Sequence, residues 1–250
     1  MDILYVYAHN PAEYDQWPAL AHSIASVRKF YKNHDDCIYV VTDINSDMIP
    51  VMKSFADDHR VVFGQYPQVQ GDTRIEVKAQ NIITSIAAVI RGYAMQDFIW
   101  MCDDFYFVND VTDADFRDVY HEGTIAETPY NPYSPIAGLI DSTHALLETF
   151  DNPLAGCEFY NFMCHHPVVI DGPEFLAMCE KYGNVFQLES LYFNIHRPPP
   201  AQLHRRTDDY SVFAWEDTVS RINDKTKFIA HAEMPGREVQ RFLMRRIYGN

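Results

Sequence analysis

The chain has 250 residues, a net charge of −15, 47% hydrophobic residues and 14% aromatics. That composition can bury a substantial core and excludes a disordered chain, and the acidic balance disfavours broad attraction to nucleic acid or anionic membrane. No apolar run reaches the roughly 18 residues that cross a bilayer.

In chain order, Met1-Asp2-Ile3-Leu4 lacks the basic-then-apolar layout of a secretion signal, and Ile3 to Ala8 predicts a first strand. Leu20, Ile24, Val27 and Tyr31 stand at helical spacing, and Cys37 to Val41 is a compact strand closing on Thr42-Asp43. A short helix over Ile49 to Phe55 and a third strand from Arg60 to Phe63 follow. The next helix, Ile75 to Arg91, carries Ile75, Ala79, Ile82, Ile83, Ile86 and Ile90 on its apolar face. Asp97 to Cys102 is a fourth strand. This alternation predicts an α/β fold with a mostly parallel sheet flanked by helices.

That fourth strand carries the most informative text. Phe98-Ile99-Trp100-Met101-Cys102 runs directly into Asp103-Asp104, followed by Phe105-Tyr106-Phe107. Carboxylates beside a core are costly unless paired. A divalent cation such as Mg²⁺ or Mn²⁺ is a natural partner, because these ions bind through one or two carboxylates plus substrate phosphates. A turn with two solvated carboxylates is the plainer alternative, but ligands in such folds collect at the carboxyl ends of strands.

Beyond Asp110 the texture changes. Residues 123–173 hold several prolines, short apolar runs and few helical periods, predicting irregular loops and short strands. Helices are expected over Pro173 to Tyr182 and Gln187 to His196, then a stiff Pro198-Pro199-Pro200 connector and a short strand over Lys227 to Ala230. No repeat or long linker divides the chain, so one domain over 1–250 is expected, with halves 1–110 and 111–250. The five cysteines at 37, 102, 157, 164 and 179 show no CxxC spacing, so a cytoplasmic protein with reduced thiols is expected. Arg237, Arg241 and Arg245 recur every four residues with Arg246 beside them. They form either a solvated helix face or a contact for an anionic partner such as nucleic acid.

Three stretches in this order resemble a known group: Ser23-Ile24-Ala25-Ser26-Val27-Arg28, Ile38-Tyr39-Val40-Val41-Thr42-Asp43, and Phe98 through Phe107. Together with His165-His166-Pro167 and Leu191-Tyr192-Phe193-Asn194, they resemble GT-A-type glycosyltransferases. The closer resemblance is to Stealth-like capsule sugar-phosphate transferases and small phage or bacterial glycosyltransferase-like proteins. The chain departs from that pattern at Cys102, where many relatives carry an acidic or amide residue. It also opens with Tyr5-Val6-Tyr7-Ala8-His9 in place of a Trp-Val-Asp run, which favours sugar transfer over sugar-phosphate transfer.

The resemblance implies a nucleotide-binding half over 1–110 and an acceptor-binding half over 111–250. It places Tyr7, Ala8 and His9 beside the base of a nucleotide-sugar donor, with Asp43 bonding base or ribose. Arg74 and Lys78, with Asn81 and Ser85 on the same polar stripe, would meet the donor diphosphate at a helix start. Asp104 is implied as a direct Mn²⁺ or Mg²⁺ ligand, Asp103 as a ribose or water-mediated metal contact, and His231 as a third ligand. Glu158, His166 and Asp171 are the candidates for the base that activates the acceptor hydroxyl. The expected activity is metal-dependent glycosyl transfer to a glycan or modified nucleic acid. The alternatives are sugar-phosphate transfer or a non-catalytic nucleotide-sugar-binding module.

Overall fold

The computed structural model describes residues 1–33, 36–69, 74–127, 134, 136–148, 158–214, 219–231 and 234–249. Cys157 lies outside them, and the other four cysteines are free thiols. Its first half alternates as the hydrophobic pattern predicts: β1 (Asp2–Val6), α1 (Pro11–Tyr14), α2 (Ala19–Phe30), β2 (Ile38–Asp43), α3 (Ile49–Lys53), β3 (Val61–Tyr66), α4 (Ile75–Tyr93) and β4 (Asp97–Met101). Helix α1 was not foreseen. Asn10 caps it by accepting from Ala12 N at 3.2 Å, and Pro11 takes the first helical position, where its missing N–H costs nothing.

After the acidic pair come β5 (Phe105–Phe107), the short strands β6 (Val119–His121) and β7 (Gly123–Thr124), and helix α5 (Ala137–Glu148). Helix α5 corrects the expectation of irregular structure over 123–173. Ala137, Ile140, Thr143 and Leu147 are its buried stripe, a helical period diluted in the sequence by Gly138, Ser142 and Thr143, all weak helix formers. Then follow β8 (Tyr160–Asn161), β9 (Val168–Asp171), α6 (Gly172–Tyr182), α7 (Leu188–Ile195), β10 (Leu203–Arg205), β11 (Ser211–Ala214), β12 (Phe228–His231) and α8 (Arg237–Tyr248).

The main sheet has the order β3-β2-β1-β4-β9. Its first four strands are parallel, and β9 closes the edge antiparallel to β4. The strand pleat sorts side chains to two faces. Ile3, Tyr5, Ile38, Val40, Ile99 and Met101 pack with Leu20, Ile24 and Val27 of α2. Leu4, Val41, Phe98, Trp100 and Ile170 pack on the other side with Ile83, Ile86 and Ile90 of α4. The turn from β9 into α6 is tight. A Cβ on Gly172 would stand 2.4 Å from the Met95 carbonyl oxygen and 2.9 Å from that of Gln96, so this junction needs glycine.

A second sheet, β11-β12-β5, continues from the acidic loop. Two buried serines of α2 hold it to the first. Ser23 Oγ bonds the Tyr5 hydroxyl at 2.8 Å and donates to Phe105 O, while Ser26 Oγ accepts Phe107 N at 3.0 Å. The Ser-x-x-Ser spacing therefore fixes the exit of the Asp103-Asp104 loop.

Candidate active-site cleft

The apolar strand β4 ends at Met101, and the chain turns at Asp103-Asp104 before re-entering the core as β5. This turn lies at the carboxyl end of the parallel sheet, next to the end of β1. A cleft opens there, walled by Tyr7 and Ala8 after β1, Tyr14 and Trp17 around α1, Asp103 and Asp104, and His231 at the end of β12. Five of the residues singled out from the sequence thus meet in one place: Tyr7, Ala8, Asp103, Asp104 and His231.

Both carboxylates are half-buried. Burial, with a contribution from Glu13, raises Asp103 to about 6, and burial together with Asp103 raises Asp104 to about 7. Neither pairs with a lysine or arginine among the described residues. Two crowded carboxylates with no cationic side chain are a donor set that suits a hard divalent cation. Among the described residues, no group of three His, Cys, Asp or Glu side chains stands at metal-binding spacing. Cys102 adds no thiolate, because burial and Asp104 push its thiol well up.

His231 is almost fully buried. Its Nε2 lies 2.9 Å from the Tyr106 hydroxyl, which accepts the Trp17 indole N–H at 3.0 Å, and the two rings stack with centroids 5.4 Å apart. Any cation contact by His231 therefore runs through Nδ1. On the opposite wall, the Tyr7 hydroxyl bonds His9 Nδ1 at 3.1 Å, and the His9 ring meets Tyr14 edge-on at 5.5 Å. His9 thus backs the aromatic wall without lining the cleft itself.

The other candidates sit elsewhere. Asp43 is buried at the end of β2, where its carboxylate accepts Gln68 N at 3.3 Å and so holds the chain that follows β3. Asn81 clasps Val69 through both its N–H and its carbonyl. Lys78 is exposed on α4 and does not line the cleft.

The acceptor-side candidates also lie apart from the cleft lining. Asp171 faces Asp97 across the β4–β9 ladder, about 16 Å of strand from the acidic loop, and caps α6 by accepting Glu174 N at 2.7 Å. Glu158 is exposed, and its carbonyl accepts from Arg197. His166 is buried against Tyr120, Tyr210 and Phe228, and burial pushes it down to about 3. Its neighbour His165 holds a left-handed backbone at φ 49° and meets Phe213 in a tilted ring contact.

Glu13, Asn10, Tyr14, Trp17, Ala19 and Met234 complete the lining and were not singled out from the sequence. The Asn10-Pro11 cap followed by residues 13, 14 and 17 was the available signal, because one helical turn places those three beside the end of β1.

No protein-family model and no curated protein sequence matches the chain. Solved glycosyltransferases share its fold. The apo structure of the bifunctional glycosyltransferase WbbM aligns over 100% of this chain and 50% of its own, with TM-score 0.56 and 10% identity. The chain thus spans half the length of that protein. The galactosyltransferase LgtC, solved in complex with donor and acceptor sugar analogues, aligns over 98% of this chain and 95% of its own, with TM-score 0.51 and 12% identity. The chain therefore has the α/β architecture of GT-A-type glycosyltransferases. Among the described residues no helix is long and apolar enough to cross a membrane.

Proposed function

We propose that the protein is a glycosyltransferase that moves a sugar from a nucleoside-diphosphate donor to a hydroxyl group of a glycan acceptor. The observation that carries this reading is the half-buried Asp103-Asp104 pair, without a cationic partner among the described residues, in a cleft walled by aromatics at the carboxyl ends of β1 and β4. Asp104 and Asp103 would hold Mn²⁺ or Mg²⁺ together with oxygens of the donor diphosphate, and His231 lines the same cleft. When bound, the cation offsets charge on the leaving diphosphate. Tyr7 and Tyr14 line the cleft where the donor base would lie, and His9 bonds the Tyr7 hydroxyl. The fold shared with LgtC, whose structure holds donor and acceptor sugar analogues, supports the same assignment.

The test is calorimetric titration of UDP- and GDP-sugars with and without Mn²⁺ on the wild type and on Asp104→Ala, with product analysis. Metal-dependent binding in the wild type alone, with release of nucleoside diphosphate, is the expected result. Release of the monophosphate would identify sugar-phosphate transfer instead. Unchanged Mn²⁺-dependent affinity in the variant would remove the acidic pair from the site. Turnover with an oligonucleotide acceptor in place of a glycan would reassign the acceptor to nucleic acid.

A further inference from the structure

Helix α8 has a well-defined inner face, where Val239, Leu243 and Ile247 pack against Tyr106, Val108 and Ile229. On its outer side Arg237, Arg241 and Arg245 are exposed, spaced about 6 Å apart along the axis. None of the three pairs with a carboxylate among the described residues, and Arg245 Nε donates to the carbonyl of Arg241 at 3.3 Å. Arg246 differs, because it is tied into the fold through Val108 O and Asn109 and lies over the Phe30 ring. Three like charges in one row repel one another. On a chain of net charge −15, such a row stands out as a local anion-attracting surface.

Arg241 and Arg245 also line a groove with Gln240, Met244 and Trp17. Trp17 is the wall this groove shares with the acidic cleft, and Met234, three residues before α8, lies on the cleft rim. Trp17 thus borders both the acidic cleft and the groove along α8.

We propose that this groove binds a phosphate-bearing part of the acceptor, so that the acceptor hydroxyl sits in the cleft and its phosphate lies along Arg241 and Arg245. Guanidinium groups suit this ligand through paired N–H bonds to phosphate oxygens. A bilayer surface fits less well, because among the exposed side chains of α8 only Tyr248 is a large apolar one, and Glu238 is exposed beside Arg237. The inference rests on the transferase reading for the word acceptor, but its test requires no turnover.

Inorganic tripolyphosphate is titrated in EDTA at low salt against the wild type and the double variant Arg241→Gln/Arg245→Gln, with melting curves confirming the fold. The expected result is saturable wild-type binding that added salt weakens and that the double variant loses by about tenfold. Equal affinity in the two proteins, or no wild-type binding, overturns the proposal. Phosphatidylcholine vesicles containing phosphatidylglycerol form a second arm. Vesicle binding that the double variant loses, with tripolyphosphate affinity unchanged, would reassign the stripe to a membrane surface. Since neither arm uses a nucleotide, failure of the donor reading leaves these results intact.

Discussion

The hydroxyl of Tyr106 lies 2.9 Å from Nε2 of His231, although 125 positions separate them in sequence. With Trp17 donating to the same oxygen, the phenol fixes the imidazole from the interior side. Partners behind a ligand histidine tune its affinity for metal, commonly by 10- to 100-fold. Tyr106→Phe keeps the ring packing and removes that bond. Mn²⁺ affinity is expected to fall about tenfold by titration calorimetry, with a stability loss of about 1–2 kcal/mol from the unsatisfied indole N–H. Unaltered Mn²⁺ affinity would show that the Tyr106–His231 bond has no part in the proposed cation binding.

Asp104→Asn should separate stability from binding. The carboxyl is raised to about 7 by burial and by Asp103, so its ionised form disfavours the metal-free fold at neutral pH. The amide removes that charge. Metal-free Asp104→Asn is expected to be more stable than wild type at pH 7.5 by about 1 kcal/mol, and Mn²⁺ is expected to raise the melting temperature of the wild type alone. A variant that melts lower without metal would show that the carboxylate is already satisfied within the protein.

His166 sets an acid limit. Burial holds it at about 3 in the fold, below its ordinary 6.5. Between these values the unfolded chain binds a proton that the folded one does not, so stability is present above pH 6.5 and falls as pH drops toward 3. The loss attributable to this residue at pH 4 is about 3 kcal/mol. Urea titrations of His166→Phe at pH 7 and pH 4 should show a smaller drop between the two conditions than wild type. Equal drops would mean that the buried imidazole takes up its proton without unfolding.

Gly172→Ala should be costly although the residue is far from the cleft. Its Cβ would meet the backbone oxygens of Met95 and Gln96, which cannot rotate away as a side chain can. A destabilisation of about 3 kcal/mol is expected in urea titration. A loss below about 0.5 kcal/mol would show that the β9–α6 junction yields more readily than the contact implies.

The parallel sheet was legible because its strands are short apolar runs between helical periods, and the acidic pair because it interrupts such a run. Tyr7, Ala8, Asp103, Asp104 and His231 share a cleft because strand ends collect on one edge of a parallel sheet. The candidates for the acceptor side were less legible. Glu158, His166 and Asp171 sit close in sequence, yet the antiparallel direction of β9 carries Asp171 to the far end of the sheet, and His166, ahead of that strand, is buried among aromatics. Strand direction leaves no mark on a single hydrophobic run, and the Asn10-Pro11 turn that brings Glu13, Tyr14 and Trp17 to the site is too short for a periodic signal.

The pairing of β12 with β5 has a consequence for how the protein comes into being. On the ribosome, the α/β segment through Met101 can begin to pack as soon as it emerges. The Asp103-Asp104 turn then waits without its far wall, because Phe228–His231 must be made and laid against Phe105–Phe107 to complete the cleft. A nascent chain halted before residue 228 therefore carries the acidic pair without Tyr106's partner, and a finished cleft is a property of the whole translated length between them.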